Sequence, residues 1–195
     1  MNLSQTKGGE KMISHIIWDL GDTLIFGPHD GMDLKPLYDY PEVRLRPKVK
    51  ETLIQLQTMG YQQAIFSNTA RSDSQIVKET MKRLDVDRFF VYIFATQSEL
   101  EPGKMQKPDQ KAFRFVLDQL KIDHTQAIMV GNTWDTDILG ANRSGMSAIW
   151  LTNPQVSKRS DPQSAQVPPW VFPVWDVEDI PALMKLCSIA GSRRG

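Results

Sequence analysis

The chain has 195 residues, 41% of them hydrophobic and 24% charged, with 23 basic residues balanced by 23 acidic ones. That length suits one well-packed core and is short for two, and a net charge of zero removes any general attraction to nucleic acid or acidic lipid. A single cysteine, Cys187, rules out an internal disulfide framework and fits a reducing, cytoplasmic setting, and no apolar run approaches the length of a membrane span.

Residues 1–12 are polar and glycine-containing and are expected to be disordered, leaving residues 13–195 as one domain. Residues 15–25 open with a short apolar run that reads as a buried strand, and it delivers Asp19 at its C-terminal end, where open α/β sheets collect ligands. A carboxylate there can act as a nucleophile, as a metal ligand, or simply as the filler of a turn. Residues 26–45 carry Gly27, Pro28, Gly31, Pro36 and Pro41, too many breakers for a helical subdomain, and read as a flap or short hairpin. Residues 46–60 predict an amphipathic helix, with Pro47 near its start, Val49, Leu53 and Leu56 at helical spacing, and glycine at its end. Residues 61–66 predict a second strand, 74–84 a helix and 89–95 a third strand.

Residues 96–106 form a polar loop, and residues 107–120 predict a helix entered at Pro108. Strand, short helix and strand follow at 127–130, 137–144 and 147–151. Alternation of this kind predicts an α/β fold with a doubly wound parallel sheet. Residues 153–169, rich in Pro, Ser and Gln, read as a surface excursion. The aromatic stretch 168–175 reads either as a proline-bearing edge strand before a closing helix at 179–189, or as a strip for a partner.

Four segments set reactive side chains at strand ends or beside a helix start. They are Asp19-Leu20-Gly21-Asp22, Ser67-Asn68-Thr69, Lys107-Pro108-Asp109, and Gly131-Asn132-Thr133-Trp134-Asp135-Thr136-Asp137. In this order they resemble the haloacid dehalogenase-like hydrolase superfamily, over roughly residues 13 to 152. The resemblance implies a Rossmann-like core and a Mg²⁺-dependent phosphatase acting on phosphate monoesters. Asp19 would be the nucleophile, forming an aspartyl-phosphate that splits one hard displacement into two easier ones. Ser67, with backbone N–H groups near Asn68 and Thr69, would bind the phosphoryl oxygens. Lys107 would neutralise charge, with Lys104 as its rival. The implied metal ligands are Asp19, the main-chain carbonyl of Gly21, Asn132 and Asp137, with Asp135 adding attraction, and the implied partner is a phosphorylated substrate.

Two positions depart from the family pattern. Gly21 stands where the family usually has an aspartate that serves as general acid and base, and Asp22 comes one residue later. General acid–base help is typically worth about 10²–10⁴ in rate, so poor leaving groups should suffer most. Asn132 replaces a second aspartate, leaving an amide oxygen to ligate Mg²⁺ with one charge fewer. There is no room for a large cap, so the site is expected to be open. Water would be excluded by the flap, by a bulky substrate or by a second subunit in a homodimer. His29, Asp30, Tyr38, Asp39 and Tyr40 of the flap are the candidate substrate contacts. The competing readings are a catalytically weak domain that binds a phospho-ligand or a protein, and a dehalogenase, against which the short insert argues.

Overall fold

In the computed structural model the chain is described over residues 13–26, 34–98, 103–152 and 170–192. The expected N-terminal disorder, the excursion at 153–169, and His29 and Asp30 of the flap lie outside the described residues.

Strand β1 (His15–Trp18) carries the chain into the core, and β2 (Ile25–Phe26) and β3 (Arg44–Leu45) pair antiparallel as the short hairpin expected at the base of the flap. Strands β4 (Gln62–Ser67), β5 (Phe90–Ala95), β6 (Ala127–Gly131), β7 (Ser147–Leu151) and β8 (Val171–Val174) join β1 in a six-stranded sheet. Its order is β5-β4-β1-β6-β7-β8, and every pairing is parallel. Because β1 is central and the chain leaves it first to one side and then to the other, the order reverses between β1 and β6. Ligands bind outside the carboxyl ends of the strands at such a switch point.

Side chains along a strand alternate between faces, and the core follows that rule. Ile16 and Trp18 pack with α1 (Val49–Thr58), α2 (Ser74–Arg83) and α5 (Ile180–Ser192), through residues such as Leu53, Met81 and Ile180. Ile17 points the other way, toward Phe113 and Val116 of α3 (Gln110–Leu120) and Ala141 of α4 (Leu139–Arg143). With both faces covered, β1 and β6 read as continuous apolar runs, which is why they were visible in the sequence. Among the described residues no large cap interrupts the core, and no helix is long and apolar enough to cross a membrane. Cys187 is half-buried on α5.

Two helices begin later than the proline signal predicted. The helix expected from residue 46 starts at Val49, after a turn in which Lys48 adopts left-handed backbone at φ 62°. The helix expected from residue 107 starts at Gln110, because Asp109 caps it by accepting the Lys111 N–H at 2.8 Å. In both places the proline lies in the turn before the cap, so Lys107 sits on a loop. The short helix expected at 137–144 is α4, entered through a π-type turn at Trp134–Ile138. At the far edge of the sheet β8 contains Pro173, as expected of an edge strand, with Trp170 and Trp175 exposed at its two ends.

One long-range tie reaches the switch point. Arg46, 3% exposed, donates through Nη2 to both oxygens of Asp176 at 3.1 and 3.2 Å and through Nη1 to the Thr23 carbonyl at 3.3 Å. The turn after β1 is thereby fastened to the start of the C-terminal helical segment, 130 residues away.

Candidate active site

The turn after β1 explains the position of Asp19. Its N–H donates to the Val130 carbonyl at 2.8 Å, an extension of the β1–β6 ladder, while Leu24 and Ile25 donate back to Leu20. The carboxylate is therefore held on the last rung of two strands and is only 7% exposed. Its Oδ1 accepts from Ser67 Oγ at 3.1 Å and from Lys107 Nζ at 2.7 Å. Its Oδ2 accepts from Thr23 Oγ1 at 3.3 Å. Two of the expected catalytic side chains, Ser67 from the end of β4 and Lys107 from the loop before α3, thus converge on the carboxylate of the third, Asp19 after β1. Lys107 rather than Lys104 occupies the position.

Lys107 is buried between two acids, with Nζ also 2.6 Å from Asp137 Oδ1. Burial alone would push its ammonium down, but the charges of Asp137 and Asp19 outweigh burial and hold it above its ordinary value. Asp137 moves the other way from a typical paired acid. Burial, with the Asp19 charge added, overcomes the pull of Lys107 and of the Thr133 N–H and raises Asp137 from 3.8 to about 6. Burial is the larger cause, and the Asp19 carboxylate that shares the same cation adds to it.

Glycine at position 131 is a steric requirement of this arrangement. A Cβ there would lie 2.2 Å from Asp137 Oδ2, the oxygen that accepts the Thr133 N–H at 3.0 Å. Both Asp137 oxygens are therefore engaged within the protein, one by Lys107 and one by the backbone.

Between the ordinary carboxylate value and about 6, folded Asp137 binds more proton than unfolded Asp137. It therefore costs stability above that window and relieves the cost as pH falls through it. In EDTA, wild type should gain in Tm relative to Asp137→Asn as pH is lowered from 7 to 4.5, as read by thermal melts. Parallel pH profiles for the two proteins would contradict the assignment.

The sequence did not single out Thr23. It is fully buried, and its hydroxyl lies 3.3 Å from Asp19 Oδ2 and 3.2 Å from Asn132 Oδ1. A hydroxyl has one proton and cannot satisfy both oxygens at once, so Thr23 marks a point where hard oxygen atoms gather. Asn132 is held from behind as well, its carbonyl accepting Trp150 Nε1 at 3.2 Å. An all-oxygen set with one carboxylate suits Mg²⁺, which keeps several of its own waters. Among the described residues no group of three or more His, Cys, Asp or Glu is arranged to hold a metal, so amide and carbonyl oxygens would have to complete the set.

Other expected site residues are placed as follows. Asn68 turns its side-chain amide onto the main chain of Lys107, and Thr69 donates to the Ser72 carbonyl at 2.6 Å while accepting the Gln97 N–H at 3.0 Å. Any contribution of this stretch to ligand binding therefore falls to its backbone. Gly21 has open space around its Cα, since a Cβ would meet nothing within 4 Å. Asp22 adopts left-handed backbone at φ 54° and donates its N–H to the Ile25 carbonyl at 2.9 Å. Asp135 is exposed, on the turn that buries Asp137. The described part of the flap is docked rather than loose. Arg83 donates to the carbonyls of Tyr38 and Tyr40 at 2.6 and 2.9 Å, and Ser72 Oγ accepts the Leu37 N–H at 2.8 Å.

The chain is similar to several known proteins. A protein of unassigned function from Listeria monocytogenes serotype 4b superposes with a TM-score of 0.87 at 46% identity, covering 90% of this chain and 99% of that one. Over 107 residues the chain is 32% identical to a glyceraldehyde 3-phosphate phosphatase of Pyrococcus abyssi, a match covering 54% of this chain and 41% of that enzyme. An (S)-2-haloacid dehalogenase 4A of Burkholderia cepacia is 25% identical over 161 residues, 78% of this chain and 64% of that one. The chain spans less than half the length of the curated phosphatase it matches. Residues 35–151 match the haloacid dehalogenase-like hydrolase family, and with the strand order and the clustered Asp19, Ser67 and Lys107, the chain belongs to that family.

Proposed function

We propose that the chain is a Mg²⁺-dependent phosphatase that hydrolyses phosphate monoesters through an aspartyl-phosphate on Asp19. The observation that carries this reading is the Asp19 carboxylate, held at a strand end by Ser67 and Lys107 on one oxygen and by Thr23 on the other. A phosphatase among the relatives supports the substrate class.

In the first step Asp19 attacks phosphorus, the ester P–O bond breaks, and the leaving oxygen departs as an alkoxide or aryloxide that takes up a proton from solvent water. In the second, water attacks the aspartyl-phosphate and inorganic phosphate departs. Ser67 donates to a phosphoryl oxygen, and Lys107 offsets the negative charge that Asp19 and the phosphoryl group bring together. Asp19, the Gly21 carbonyl and Asn132 would hold Mg²⁺, which supplies further charge neutralisation at the phosphoryl group. Asp137, expected as another ligand, accepts from Lys107 on one oxygen and from the Thr133 N–H on the other and so fixes Lys107, while each oxygen keeps a further lone pair for the metal.

Gly21 offers no side chain to protonate a leaving alkoxide. Rates should therefore fall steeply as the pKa of the leaving group rises, aryl phosphates being preferred to alkyl ones. Since a Cβ at position 21 meets nothing within 4 Å, Gly21→Asp should be accommodated. It should raise kcat/KM on alkyl phosphates by about tenfold or more and flatten the leaving-group dependence. The test is phosphate release from a graded series of aryl and alkyl esters, with and without Mg²⁺. No Mg²⁺-stimulated release from any ester would end the phosphatase reading and favour a phospho-ligand-binding domain, the reading to which Gly21 and Asn132 lend weight. A flat wild-type series would show that some other group supplies the proton.

A further inference from the structure

Lys107 must bring one flexible ammonium between two carboxylates, yet its backbone belongs to no strand or helix, since α3 begins only at Gln110. A long side chain rooted on a loop would spread over many rotamers unless its root were fixed. What fixes it is Asn68. The Asn68 Oδ1 accepts the Lys107 N–H at 2.9 Å, and its Nδ2 donates to the Lys107 carbonyl at 2.8 Å. One planar amide thus pairs with both backbone groups of a single residue, 39 positions away, much as a neighbouring strand would.

Asn68 follows directly on Ser67, the last residue of β4 and a partner of Asp19. The same rigid strand end therefore sets the Ser67 hydroxyl against the nucleophile and clamps the root of the lysine that meets the same carboxylate. Fixing the loop in this way pre-organises the charge before any phosphoryl group arrives.

We propose that Asn68 is a positioning residue for Lys107, acting through both atoms of its amide, and not a residue whose side chain grips the substrate. The kinetic side of this proposal rests on the phosphatase reading above; the structural side does not. Misplacement by about 1 Å can cost about 10²-fold in rate, so Asn68→Ala should lower kcat by about 10- to 100-fold while leaving KM within about twofold. A side chain that bound substrate would instead raise KM with kcat held.

The second readout is free of catalysis. Native-state hydrogen exchange at the Lys107 amide, followed by NMR, should quicken by about tenfold in Asn68→Ala, while the amides of β1 and β6 keep their protection. Faster exchange at Lys107 together with a loss confined to kcat supports the clamp. Unchanged exchange at Lys107, a general loss of protection across the sheet, or a rise in KM with kcat intact overturns it. If wild type releases no phosphate from any ester, the phosphatase reading falls, and the exchange measurement still decides the clamp.

Discussion

Lys107→Met should destabilise the metal-free protein by about 3–5 kcal/mol at pH 8 and by clearly less at pH 5, measured by urea unfolding in EDTA. The reason is the count of charges in the cluster. Asp19 and Asp137 share a single ammonium, and both acids and the lysine are almost wholly out of solvent. Removing the cation leaves two carboxylates facing one another with only hydroxyls and the Thr133 N–H for company. Losing Lys107 also removes the charge that pulls Asp137 down, so Asp137 rises above its wild-type value of about 6, is protonated at pH 5, and the repulsion subsides there. The double variant Lys107→Met with Asp137→Asn should recover part of the loss at pH 8. Equal destabilisation at both pH values would mean that the cost is lost packing and not unpaired charge. Activity should fall by about 10²–10³, the scale seen when one charge-stabilising donor is removed from a transition state.

Asp19→Asn should abolish turnover, with phosphate release from p-nitrophenyl phosphate falling by at least about a thousandfold, because an amide cannot form the acyl phosphate. Stability should respond in the opposite sense to Lys107→Met. Neutralising Asp19 leaves Lys107 and Asp137 as a matched pair, and removes one of the two influences that raise Asp137. The Tm of the variant in EDTA should therefore equal or exceed that of wild type, as expected where a site holds charge for function at the expense of stability. Undiminished phosphate release from Asp19→Asn would eliminate the covalent mechanism. A variant that is inactive because it is unfolded would show itself in the melt.

Much of this was legible in the sequence because it is local. A short apolar run such as Ile16-Ile17-Trp18 needs no partner to be recognised, and its end fixes where Asp19 emerges. Ser67 is marked in the same way by β4, and Asn132 by β6. The order of these strand ends along the chain is enough to imply the sheet, since parallel strands with helical crossovers have few ways to close. Helix starts were less legible, because Pro47 and Pro108 signal a turn as readily as a first helical residue. Only the capping contacts, such as Asp109 to the Lys111 N–H, decide between them.

By itself, then, the sequence determined five of the six main strands, left the sixth as one of two readings, and marked the strand ends that carry Asp19, Ser67 and Asn132. Tertiary structure alone decided how those groups are paired. Thr23 set between Asp19 and Asn132, Asn68 holding the backbone of Lys107, Asp137 turning both oxygens inward, and Arg46 reaching Asp176 are all contacts whose partners lie in different elements or across a tight turn. Periodicity reports which face of an element is apolar. It carries no information on which buried polar group meets which, because that depends on how the elements dock. In a low-dielectric interior each such group must find a partner, and the partner it finds sets its charge state and its role.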